Sequence, residues 1–165
     1  MTSSSDHLIE SAATLPDMAA TAQDIMATEH QRTKNLEQRA LLLNRQIIFD
    51  ALKAAGADRI VIHFDGTSDN GQIEAIEATA SAAPLALPQI LIPLWQCESG
   101  ELRPNPESFD AALETFAYAL LWAHHAWWED GEGAFGTITL TVQAEAIKIA
   151  FNRRFIEATL TTHHV

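Results

Sequence analysis

The chain contains a single cysteine, Cys97, among 165 residues, so it forms no intrachain disulfide and no zinc site built from several thiolates. Beside Trp95 that cysteine reads as a small, partly buried apolar residue rather than a catalytic thiol. Basic residues are scarce too, 10 Lys and Arg against 22 Asp and Glu, for a net charge of -12. That shortage excludes a general binder of phosphate backbones, which needs clustered cations. No run suits a membrane helix: the longest stretch without Asp, Glu, Lys or Arg, 78–97, is broken by Pro84, Pro88 and Pro93. Residues 1–28 hold four acids and no Lys or Arg, unlike the basic start and apolar stretch of a secretory leader, which implies a cytoplasmic protein. GxSxG, Walker, HExxH and Rossmann patterns are lacking, as are internal repeats.

What is present is enough apolar residue, 47% of the chain, to fill one core at this length. Charge is arranged in blocks: residues 60–147 hold thirteen acids and only Arg103, while 29–59 and 148–165 are slightly basic. A net negative middle keeps small domains apart, or presents an acidic surface to a cationic partner.

Residues 1–16, rich in Ser, Thr, Ala and acid and ending at Pro16, read as a mobile N-terminal arm, and 17–165 as one domain. Leu36, Ala40, Leu43, Ile47, Ala51 and Ala54 recur at helical spacing. Thr28 with Gln31 matches a capping box and Gly56 a left-handed terminus, which bounds a helix at about 29–55, with an earlier start near Asp17 open. Ile60, Ile62 and Phe64 then alternate with Val61, His63 and Asp65, a strand that feeds the turn-rich segment 65–71. Residues 72–80 fit a helix by Ile73, Ile76 and Ala80, or a strand by context, and strand is preferred. Ile90 to Leu94 is a third strand, pushed to an edge by Pro88 and Pro93.

Asn105-Pro106-Glu107 has the form of a helix start, and Phe109, Leu113, Phe116, Leu120 and Trp127 continue it to about 128. Ile138, Leu140 and Val142 alternate with Thr137, Thr139 and Thr141; after a turn, Ile147, Ile149 and Phe151 alternate with Lys148, Ala150 and Asn152. The order α-β-β-β-α-β-β predicts an α+β fold: a two-layer sandwich with an antiparallel sheet of about five strands and two helices on one face. The opposite parity then leaves His63, Asp65, the three threonines, Lys148 and Asn152 on an open sheet face.

Two acidic, glycine-punctuated connections are the candidate sites. In the first, Asp65, Gly66, Asp69, Gly71 and Glu74 surround a tight turn; its carboxylates either converge on a cation or accept hydrogen bonds from nearby backbone N–H groups. An EF-hand count fails there, with Asn70 where glycine is required and Ile76 at the closing glutamate. The second runs Trp128, Glu129, Asp130, Gly131, Glu132, Gly133, Ala134, Phe135, Gly136. It follows a helix and lacks a cation, so it is no phosphate cradle. His124 and His125 diverge by about 100° on a helix and do not form a paired metal face. A divalent metal held by His63, Asp65, Asp69 and His124 is the alternative to a protein without cofactor. His163 and His164 read as tail.

The pieces 64–74, 128–136 and 151–154 together resemble a family of small, acidic, uncharacterised bacterial proteins found on phages, plasmids and other mobile elements. Its members share an FDGxxDxG hairpin, a histidine-tryptophan-glutamate helix end, a G-[AS]-[FY]-G turn and a later FN strand end. The resemblance covers about residues 29–155, implies the α+β order and a mobile-element origin, and supplies no reaction. Asn152 joins the candidate binding residues through it. The functional expectation is a non-enzymatic module binding a cationic protein, with neither nucleic acid nor membrane as partner; a metal-dependent hydrolase or binder using segments 63–74 and 124–136 is the alternative.

Overall fold

The computed structural model describes residues 15–67, 70–157 and 160–162. Most of the expected arm, together with Ser68, Asp69, His163 and His164, lies outside them. Helix α1 (Leu15–Ala54) starts more than three turns before the expected cap at Thr28 and close to the earlier start near Asp17, with Pro16 in its first turn, where a missing N–H costs nothing. Thr28, the expected cap, is mid-helix, and its Oγ1 donates to the Asp24 carbonyl at 2.8 Å. The helix ends as its sequence predicts: Gly56 (φ +74°) lets Ala57 N–H reach the Leu52 carbonyl and Gly56 N–H that of Lys53, both at 3.0 Å. Residues 22–35 are exposed along the whole helix surface, and burial begins in earnest at Ala40.

Seven strands follow among the described residues, in two groups. β1 (Arg59–Thr67), β2 (Asn70–Ala80), the two-residue β3 (Ala83–Pro84), β6 (Ala134–Thr141) and β7 (Ala146–Arg153) make an antiparallel sheet in the order β3-β2-β1-β6-β7. β4 (Leu91–Glu98) and β5 (Glu101–Ser108) pair only with each other. Helix α2 (Phe109–His124) lies between the second group and β6. Ile60, Ile62, Phe64, Ile138 and Leu140 turn inward as alternation requires, into one core with Ile48, Phe49 and Leu52 of α1, Phe116 and Leu121 of α2, and Leu94 of β4. His63, Asp65, Thr137, Thr139, Thr141, Lys148 and Asn152 are half-buried or exposed on the other parity.

The class is α+β, but the element order and sheet membership differ from those the sequence predicts. The third strand of the expected sheet, 90–94, belongs instead to the separate β4–β5 hairpin. The apparent helix start at Asn105-Pro106-Glu107 is strand: Pro106 faces Pro93, and Pro104 faces Trp95. One proline in β4 and two in β5 lose few donors from a two-stranded ladder, since both strands are edges. Glu107 does not cap a helix; it accepts hydrogen bonds from Gln96, Asn105 and Thr115 at 2.6–3.0 Å. Ser108 is the cap of α2, accepting from Ala111 N–H. Asn44, 5% exposed within the apolar stripe of α1, fastens the hairpin by donating to the Trp95 carbonyl (2.8 Å) and accepting from Trp95 N–H (2.6 Å). Among the described residues no helix is long and apolar enough to cross a membrane.

Candidate functional site

The two glycine-punctuated connections meet at one rim of the larger sheet, and a tryptophan joins them. α2 stops at His124, its cap residue His125 donating N–H to the Leu121 carbonyl at 2.7 Å. Trp127, at φ +63°, then reverses the chain and returns Trp128 to the inner face of β1 and β2. Trp128 is 3% exposed and meets Phe64 edge-on at 5.5 Å between ring centroids. Its six-membered ring lies over Gly66 and Gly71: a Cβ added to either glycine would stand 2.6 Å from Cζ3 or 2.4 Å from Cη2. A Cβ on Gly133 would come 1.6 Å from the Gly66 carbonyl oxygen, and its φ is +72°. These three glycines are therefore required by packing, whatever the rim binds. Tyr118 completes the seat, accepting a hydrogen bond from Ile73 N–H at 3.2 Å and reaching the Gly71 carbonyl at 3.4 Å.

Arg154, outside the residues singled out as the site, closes the rim from the end of β7. Its guanidinium donates to both oxygens of Asp65 at 2.8 and 2.9 Å and to the Gly66 carbonyl at 3.0 Å. It lies 4.8 Å over the Phe135 ring, and its backbone N–H bonds to Gly133. The guanidinium hydrogen bonds hold the Asp65 carboxyl below its usual range of about 3.8, against a smaller opposing effect of burial. Asn152 donates to the Phe135 carbonyl at 3.3 Å. The signal for Arg154 was its place in the 151–154 motif, immediately after a long acidic block.

Among the described residues, Glu129, Asp130 and Glu132 have no such partner. Glu129 is half-buried, with its Oε2 buried and without a hydrogen-bond partner among the described residues, while Asp130 and Glu132 are exposed. No ion pair among the described residues involves these three. Glu74, in contrast, occupies a bulge of β2, opposite no residue of β1, and accepts from Gln72. Gly136 packs against the Ala150 carbonyl and the Phe64 ring.

The metal candidates are dispersed. His63 lies on the outer sheet face with Nε2 3.6 Å from Glu77, and Asp65 is engaged by Arg154. His124 lines a different feature, a groove of about 420 Å³ between α1, α2 and β7, together with His125. Among the described residues no three His, Cys, Asp or Glu side chains form a group suited to a metal ion, and Asp69 lies outside them. His125 stacks on Phe151 at 3.8 Å; burial, then the neighbouring His124, lowers its pKa below the ordinary 6.5. Of the tryptophans near the end of α2, only Trp128 is buried against the sheet; Trp122 and Trp127 pack edge to face at 5.3 Å and remain exposed.

A family model described as "Family of unknown function (DUF6878)" matches residues 40–165, beginning at the residue where α1 enters the core. No curated protein and no solved structure matches the chain.

Proposed function

We propose, from the premise that the chain belongs to this family of unknown function, that it is a non-enzymatic acidic interaction module, encoded on a mobile element, whose rim binds a cationic protein. The observation that carries the reading is the state of Glu129. Among the described residues, one of its oxygens is withdrawn from solvent without a hydrogen-bond partner, beside Asp130 and Glu132, which have no ion-pair partner. A buried acceptor left unpaired costs roughly 1–3 kcal/mol, and more if charged, so a Lys or Arg donor from a partner gains that desolvation back. Asp65 contributes little net charge because Arg154 already neutralises it. The interlock of Trp128 with Gly66 and Gly71 supports the reading further, since a rim held rigid loses less entropy on binding.

The test compares two triple variants with equal change in net charge, using a labelled Arg-rich peptide as probe. Glu129→Gln with Asp130→Asn and Glu132→Gln is expected to weaken binding about tenfold, the weakening shrinking as salt is raised. Asp24→Asn with Glu29→Gln and Glu37→Gln, on the exposed part of α1, is expected to change it less than about twofold. Equal effects from the two sets would reduce the attraction to overall charge and remove the rim as a site.

A further inference from the structure

β7 is the last strand of its sheet and hydrogen-bonds to β6 alone. The phase of that ladder is fixed by the Arg154 N–H to Gly133 carbonyl bond, which continues the β6–β7 register. Even-numbered residues of β7 therefore exchange hydrogen bonds with β6, and alternation turns the N–H and C=O groups of Ile147, Ile149, Phe151 and Arg153 outward. The Val142 N–H to Asp58 carbonyl bond gives the same phase from the other side of β6. No strand among the described residues takes up this outward row.

Sheets of monomeric proteins blunt such an edge with a short strand, a proline, a bulge or charge. The opposite edge does so: β3 has two residues and ends in Pro84. β7 has eight residues, no proline, an unbroken register with β6, and one charge before its terminal arginine, Lys148. Its inward residues Ile147 and Ile149 are half-buried and run into the groove lined by Leu41, Leu42 and Leu120, where Leu42 is 69% exposed.

We propose that β7 pairs antiparallel with β7 of a second copy of this chain, about a two-fold axis through Ile149, extending the sheet across both copies and covering the apolar groove. Only pairings of odd with odd residues join the outward groups, and the side chains choose among them. Centring on Ile149 sets Ile147 against Phe151, Lys148 against Ala150, and Ala146 against Asn152. A shift of two residues one way puts Lys148 opposite itself, and the other way puts Ile147 opposite Arg153. The strand is thus self-complementary in one register, as an isologous interface requires. This inference does not depend on the acidic rim.

The test is the mass and dissociation constant of the full chain by sedimentation equilibrium. The native chain sediments at twice its own mass at concentrations up to about 100 µM, within the range of a modest interface. Ala150→Lys, at an exposed position, sets two Lys–Lys pairs across the axis and weakens the dimer about tenfold. Ala150→Glu sets two Lys–Glu pairs and tightens it. Ile149→Pro removes an outward donor while leaving the β6 ladder intact, and abolishes the dimer. A monomer at 100 µM overturns the proposal, including the case in which the edge serves a strand of a different protein. So does a dimer indifferent to the sign of the charge at 150, since that contact lies elsewhere; this second readout stands even if Ile149→Pro fails to fold.

Discussion

The residue with the widest influence on this molecule is Trp128, because the backbone at Gly66 and at Gly71 is shaped around it. Replacing it with Ala removes the indole from a seat that cannot collapse, since Gly66 and Gly71 offer no side chains to fill it. A loss of about 3–5 kcal/mol is expected, measured by denaturant unfolding. Gly133→Ala is expected to cost at least about 3 kcal/mol, through backbone collision with the Gly66 carbonyl and an unfavourable positive φ. Gly131, at φ +63° but with open space around a Cβ, provides the comparison: Ala there costs about 1 kcal/mol. If the Gly133 and Gly131 variants prove equally stable, the close approach is not what requires glycine in this loop. Asp65 and Arg154 belong to the same seat, so their ion pair positions the rim more than it charges it.

Among the elements, α1 is divided in function along its length. Residues 22–35 touch nothing that buries them, whereas Ala40, Asn44, Ile48, Phe49 and Leu52 build the core and hold the second hairpin. Replacing Gln23, Gln31 and Asn35 with Ala is therefore expected to change unfolding free energy by less than about 1 kcal/mol, with cooperativity retained. A larger loss in thermal or denaturant unfolding would show that the projecting half of the helix is seated on something. β2 illustrates a different effect of element geometry. The bulge at Glu74 sets Ile73 against Phe64 and Ile76 against Ile62, so two isoleucines three apart share the inner face.

For the molecule as a whole, the charge surplus is acidic yet the groups with shifted pKa values are few. The lowered pKa of His125 means that the unfolded chain takes up its proton first on acidification. Its stabilising contribution is complete above about pH 6.5 and is lost as pH falls through the lower folded-state value. Asp65 acts in the same direction at lower pH, below about 3.8, so the two windows separate. The unfolding midpoint is expected to fall between pH 7.5 and 5.5 in the native chain and to fall less in His125→Phe, which keeps the stack on Phe151 without titrating. Parallel profiles for the two proteins would assign the acid sensitivity to other groups.

Alternation and punctuation, which are local, were enough for the sequence to determine the inward residues of β1, β6 and β7, the end of α1 at Gly56 and the strand character of β2. The motif pieces include the segments that pack around Trp128, although their glycines look the same whether they serve a ligand or a tryptophan. Only the tertiary structure decided that Trp128 is the reason for Gly66 and Gly71, that Arg154 reaches Asp65 across 89 positions, and that Asn44 ties α1 to β4. The same holds for the hairpin made from 91–108, where Asn-Pro-Glu carries a helix-start signature but cross-strand pairing with Leu91–Leu94 prevails. Local propensity is written in neighbouring residues, whereas partners distant in sequence are chosen by the packing of the whole chain, and no short window contains that choice.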